Sequence, residues 1–169
     1  MTNSLSQTMI SELISALKDS QLQLATAESC TGGWVAKSLT DQAGSSLWFE
    51  RGFVTYSNES KQEMLGVDGQ LIIEQGAVSQ QVAEAMATGA LLNSHASVSL
   101  SITGIAGPGG GSDEKPVGLV WFAWAKKNND NPIRIASEQQ IFSGNRDMVR
   151  EQAVSHSLTG LIRFLKNAE

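Results

Sequence analysis

Met9, Ile10, Leu13, Ile14 and Leu17 recur at the spacing of one helix face and predict an amphipathic helix over about residues 5–19. An apolar, β-prone run predicts a strand over 22–27. The turn Ala27-Glu28-Ser29-Cys30-Thr31-Gly32-Gly33 follows and opens a second helix, Trp34 to about Asp41, that stops near Gly44. Aromatic and β-branched residues over 49–57 predict a second strand, whose far end delivers Tyr56 and Ser57 into a short helix over 59–65 closed by Gly66. Residues 67–76 are expected to be irregular, with at most one short helical turn. Ser79 caps a helix with Val82, Ala83, Met86 and Ala90 on its inner face, ending near Asn93. Val98, Leu100 and Ile102 alternate with serines in a third strand, 97–105, which runs into a glycine-rich stretch, 104–112. Strands are predicted over 116–126 and 133–142, with 128–132 as the hairpin turn between them. Asn145 or Ser143 caps a last helix with the stripe Val154, Leu158, Leu161, Ile162 and Leu165.

Helices separate the early strands, and a hairpin comes late. That order predicts an α/β fold, a three-layer α/β/α sandwich with a mixed central sheet. No internal repeat or linker divides the chain, so a single domain over residues 1–169 is expected. Hydrophobic residues make up 41% of the chain, enough for a core and too many for disorder. The net charge of −5, with no long run of one sign, lacks the basic footprint of a nucleic-acid-binding module. Cys30 is the only cysteine, which excludes an intrachain disulfide and a Cys-rich zinc site. His95 and His156, the only histidines, lack ligand spacing, so no metal is expected. The polar stretch 1–7 has none of the features of a signal peptide, and no window approaches a membrane span. The expected location is the cytoplasm, with no membrane partner. A homodimer is expected from the general habit of soluble proteins, with Trp34, Trp48, Trp121 and Trp124 as possible anchors.

The strand–turn–helix at 22–41 places Ser29 and Thr31 at a helix N-terminus, where unpaired N–H groups and the dipole favour an anion or oxyanion. Ser29 is the candidate nucleophile; the plainer alternative is that Ser29 or Thr31 only caps the helix. The histidines lie in unpromising places for a Ser–His–Asp triad, and the turn is not the Gly-x-Ser-x-Gly elbow of the α/β-hydrolases. A buried, neutral lysine can replace histidine as base. Lys61, at a helix start after a strand end, is the candidate, and Tyr56 can relay its proton or hold it in place. The alternative is a solvated lysine beside an edge aromatic. The loop Thr103 to Pro108, with Gly104, Ile105 and Ala106, offers further backbone donors, 109–111 can form a lid or a plain flexible connection, and Arg146 can clamp a phosphate or be surface charge.

Six blocks, in order, resemble one family: Ala27-Glu28-Ser29-Cys30-Thr31-Gly32-Gly33; Gly52-Phe53-Val54-Thr55-Tyr56-Ser57-Asn58 with Lys61; Gly76-Ala77-Val78-Ser79; Thr103-Gly104-Ile105-Ala106-Gly107-Pro108; Lys115-Pro116-Val117-Gly118; and Phe142-Ser143-Gly144-Asn145-Arg146. It is the nicotinamide-nucleotide amidase family, also called the CinA C-terminal domain family. Each block alone is weakly specific; together they span about residues 25–150, and the length is that of the stand-alone form. Any activity of the N-terminal domain of longer members is expected to be absent.

The resemblance implies hydrolysis of nicotinamide mononucleotide (NMN) to nicotinate mononucleotide and ammonia, within pyridine nucleotide recycling. It implies Ser29 as nucleophile, Lys61 as base and Tyr56 as assistant, acting through an acyl-enzyme with no metal or organic cofactor. Glu28, Thr31, Gly32, Gly33, Thr103, Gly104, Ile105, Ala106 and Arg146 are expected to bind the substrate. Backbone amides of 29–33 or 103–106 would hold the oxyanion, and Arg146 the phosphate. Three rival readings are a pyridine-nucleotide sensor without turnover, a serine hydrolase acting on another amide or ester, and a structural protein.

Overall fold

The computed structural model describes residues 6–129 and 132–167. Leu5, at the start of the first predicted helix, and Asp130 and Asn131, in the predicted hairpin turn, lie outside the described residues. Chain order is α1 (Gln7–Asp19), β1 (Leu24–Glu28), α2 (Trp34–Thr40), a 3-10 turn (Ser45–Leu47), β2 (Phe49–Val54), α3 (Asn58–Leu65), α4 (Gly69–Gln75), α5 (Gln80–Leu92), β3 (Val98–Gly104), β4 (Leu119–Lys126), β5 (Arg134–Ile141) and α6 (Arg146–Lys166). The five strands form one sheet in the order β2-β1-β3-β4-β5. β1 is parallel to β2 and to β3, whereas β4 is antiparallel to both its neighbours, β3 and β5. The mixed sheet is thus three parallel strands extended by a late hairpin.

Both faces of the sheet are covered. Leu24, Val98, Leu100, Ile102, Phe122 and Trp124 project toward α1, α2 and α6, and meet Leu13, Leu17, Val35, Leu158 and Leu161. The opposite face carries small residues, Ala25, Ala27, Ala123 and Ala125, against Val82, Ala83, Met86 and Ala87 of α5. Ser99 and Ser101 lie on this second face, buried. Their hydroxyls donate to the Ala87 and Ala83 carbonyls of α5 at 2.7 and 2.6 Å. The alternation of serine with large apolar residues along β3 therefore marks two different cores, one built of bulk and one of close approach. A buried serine is tolerable there because each hydroxyl has an acceptor.

The interval read as largely irregular holds α4, started by the Asp68 side chain, which accepts from the Gln70 N–H at 2.9 Å. Its single buried residue, Ile72, packs under α5, while Ile73 is exposed. One inward residue in seven is too thin a stripe to show as helical periodicity. Among the described residues no helix is long and apolar enough to cross a membrane.

Because β1, β2 and β3 are parallel, their carboxyl ends lie side by side at one edge of the sheet, where ligand crevices of α/β folds form. That edge receives Ser29 after β1, Thr55 and Tyr56 after β2, and the 103–107 segment at the end of β3.

Candidate active site

The turn after β1 is held from several directions. Ser29 N–H donates to the Ile102 carbonyl at 3.0 Å, and Gly32 N–H closes the turn onto the Ser29 carbonyl at 3.1 Å. Gly32 (φ 60°) and Gly33 (φ 98°) take left-handed conformations that a side chain would strain. The Glu28 carboxylate, buried, accepts from the N–H groups of Val35 and Ala36 at 2.8 and 3.1 Å. It thus supplies the charge and the acceptors that the first turn of α2 lacks. The N-cap position is Gly33, with no side-chain capping bond. Neither Ser29 nor Thr31 is the cap, so the capping alternative for Ser29 falls away.

Ser57 caps α3 by accepting from Ser60 N–H, and Lys61 lies in the first turn of that helix, pointing inward. It is 1% exposed. Its Nζ lies 3.1 Å from Ser29 Oγ, 2.9 Å from the Thr55 carbonyl oxygen and 3.3 Å from that of Tyr56. No carboxylate among the described residues pairs with it. Burial, the main cause, pushes the amine below its usual value of 10.5, with the neighbouring Cys30 acting the other way. Burial pushes the Cys30 thiol up to about 12, so no thiolate is present at neutral pH to hold the ammonium. Nζ donates to the Thr55 and Tyr56 carbonyls and to Ser29 Oγ, so all of its polar partners are acceptors.

Tyr56 does not bring its phenol to Lys61. It holds the amine through its backbone carbonyl, while its side chain is 60% exposed and its hydroxyl accepts from Arg146 Nη2 at 3.0 Å. Arg146, exposed at the start of α6, also donates through Nη1 to the Gly107 carbonyl at 2.8 Å. It therefore spans the cavity mouth between the segments after β2 and β3. Thr103 Oγ1 donates to the Ala77 carbonyl at 2.8 Å, and Ile105 N–H is spent on the Leu119 carbonyl. Ala106 N–H has no backbone acceptor among the described residues.

Ser29, Tyr56, Lys61, Thr103, Gly104, Ile105, Ala106 and Arg146 line one cavity of about 280 Å³. Gly107, within the expected donor loop, lines it too, as do Cys30, Asn58, Ala77 and Val78, none of which was singled out from the sequence as a site residue. Adjacency to Ser29 and the Gly76–Ser79 block are the signals that would have found Cys30, Ala77 and Val78. Four expected binding residues lie elsewhere. Glu28 is turned into the first turn of α2, and Thr31, Gly32 and Gly33 border a larger open groove behind the turn, with Trp34 and Arg150.

A three-layer α/β domain with a buried serine–lysine pair at the carboxyl edge of its parallel strands belongs to a recognisable class of protein. The chain is a member of the CinA C-terminal domain family, whose model matches residues 6–165. It is 51% identical over 168 residues to the nicotinamide-nucleotide amidohydrolase PncC of Escherichia coli K12, covering 99% of each chain. It is 46% identical over 157 residues to the protein of the same name from Pseudomonas putida, covering 93% of this chain and 95% of that one. Its structure matches that of competence/damage inducible protein CihA from Agrobacterium tumefaciens with a TM-score of 0.88 at 40% identity, over 99% of each chain.

Proposed function

We propose that this chain hydrolyses NMN to nicotinate mononucleotide and ammonia, using Ser29 and Lys61 as a dyad through an acyl-enzyme. The observation that carries the reading is the 3.1 Å contact between Ser29 Oγ and a lysine amine that is buried without an acid. The names of the E. coli and P. putida relatives supply the substrate.

Lys61 Nζ takes the Ser29 proton as Oγ bonds to the carboxamide carbon, and the carbonyl oxygen becomes an oxyanion held by backbone N–H groups. As the tetrahedral species collapses, the C–N bond breaks and the nitrogen takes the proton from Lys61, leaving as ammonia. Lys61, neutral again, deprotonates a water that attacks the ester carbon. Collapse breaks the C–Oγ bond, Ser29 recovers its proton from Lys61, and nicotinate mononucleotide is released. The Thr55 and Tyr56 carbonyls keep Nζ in place throughout. Arg146 at the mouth is the candidate partner of the substrate phosphate, with Tyr56 and Gly107 fixing its guanidinium.

The test is ammonia release from NMN by the parent chain, Ser29→Ala and Lys61→Ala. Release by the parent, reduced by about 1,000-fold or more in both variants, supports the dyad. Thermal stabilisation by NMN without release points instead to a nucleotide-binding module, and full activity of Lys61→Ala rules out Lys61 as base.

A further inference from the structure

The turn that carries Ser29 is gripped from behind. Arg150, in the second turn of α6, reaches it from a groove that shares no lining residue with the cavity: Nε donates to the Cys30 carbonyl at 3.1 Å and Nη2 to the Thr31 carbonyl at 3.2 Å. Its guanidinium carbon sits 5.3 Å from the centre of the Trp34 ring. Among the described residues its one ion-pair partner is Asp147, whose Oδ1 lies 3.9 Å from Nη1 on a side chain 85% exposed. The charge is therefore directed mainly at two successive backbone carbonyls, each met by a separate N–H group of the planar arginine fork.

We propose that Arg150 is a positioning residue for the amidase reaction, aiming the Thr31 N–H at the oxyanion. This rests on the reading of Ser29 as nucleophile. The only cis peptide among the described residues is Gly107-Pro108, so the peptide joining Cys30 to Thr31 is trans. In a trans peptide the C=O and N–H point opposite ways. Drawing the Cys30 carbonyl toward Arg150 turns the Thr31 N–H away from Arg150, and the two residues before it, Ser29 and Cys30, line the cavity. That N–H has no acceptor among the described residues, whereas the next one, of Gly32, is used on the Ser29 carbonyl. A charged donor on the carbonyl also polarises the peptide and strengthens its N–H as a donor.

The experiment compares the parent with Arg150→Ala and Arg150→Lys in NMN turnover, melting temperature, and reaction with a fluorophosphonate. In that last reaction Ser29 Oγ bonds to phosphorus, the P–F bond breaks, fluoride leaves and Lys61 takes the serine proton. It also develops charge on a phosphoryl oxygen without needing the amide substrate. For Arg150→Ala, kcat is expected to fall by about 100-fold, the scale of one lost oxyanion donor, with KM within about threefold. Phosphonylation should slow in parallel, Arg150→Lys should be intermediate, and millimolar guanidinium should restore part of the Arg150→Ala rate while leaving the parent unchanged. The proposal is overturned if Arg150→Ala keeps kcat within about threefold. A loss confined to KM, or a rate loss that follows melting temperature with no guanidinium rescue, equally overturns it, because Arg150 is then only a staple between α6 and the turn. A parent that is phosphonylated at Ser29 yet inert toward NMN refutes the amidase substrate, while the phosphonylation rates still decide the role of Arg150. A parent inert to both refutes the nucleophile and this proposal together.

Discussion

Lys61 shows how a single residue ties stability to chemistry. The fold hides its amine and offers it two carbonyls and a hydroxyl but, among the described residues, no carboxylate, so burial shifts it toward the neutral form. A base of this kind is active only when unprotonated. The kcat/KM for NMN is therefore expected to rise with pH and level off below the lysine's ordinary 10.5, because burial lowers its value in the folded chain. A profile still climbing through 10.5 would refute a neutral buried base. The same shift has a consequence for folding. Between the lowered folded value and 10.5 the unfolded chain carries a proton that the folded chain has released, so stability rises with pH across that window. The slope is at most about 1.4 kcal/mol per pH unit for one proton. Urea midpoints of the parent and Lys61→Met between neutral and alkaline pH check this: the parent should gain on the variant as pH rises, and equal slopes would show that the amine is charged in the fold.

Among the elements, α3 is the one whose placement decides whether Lys61 reaches Ser29, and a glycine of another helix packs against its end. A Cβ on Gly89 of α5 would stand 2.0 Å from the carbonyl oxygen of Leu65, the last residue of α3 and one turn beyond Lys61. Alanine is intrinsically the better helix residue by about 1 kcal/mol, but here it has to push α3 outward. Gly89→Ala is expected to destabilise by about 1–3 kcal/mol net, as overpacking does, and to lower kcat by moving Lys61 away from Ser29. Urea denaturation together with NMN turnover checks it; a variant as stable and active as the parent would mean that α3 yields freely. This contact also shows what was legible in the sequence. Ser29 and Lys61 each follow a strand end, and parallel strands bring such ends together, so their meeting was foreseeable from element order. The caps Ser57, Ser79 and Asn145 and the stop at Gly66 are local in the chain; Ser79 and Gly66 were placed from sequence, Asn145 was one of two candidates, and Ser57 was missed. What escaped is carried by backbone and by distance. Glu28, expected to bind substrate, is instead taken by the free amides of α2, Tyr56 contributes to Lys61 a carbonyl that every residue has, and Arg150 lies 120 residues from Cys30 on the last helix.

The molecule as a whole converges on the cavity from far-separated stretches: the ends of β1, β2 and β3 supply the floor and α6 supplies Arg146. A ligand bound there bridges elements that fold from opposite ends of the chain, so binding stabilises the entire fold by mass action. Ser29→Ala, which keeps the cavity but removes the proposed nucleophile, lets this be read without turnover. At a concentration 100 times Kd, NMN should add about 2.7 kcal/mol. For a chain of this size that corresponds to a rise in Tm of roughly 5–11 °C. Removing the Arg146 side chain as well, in Ser29→Ala/Arg146→Ala, separates the two ends of the ligand. If the guanidinium at the mouth receives the phosphate, the double variant loses most of the NMN shift, while the smaller shift produced by nicotinamide riboside, which has no phosphate, is unchanged. Equal losses for both ligands would show that Arg146 acts by holding Tyr56 and Gly107 in place, not by meeting the phosphate. Undiminished shifts for both would take Arg146 out of the binding site and leave the phosphate to the backbone amides around the cavity.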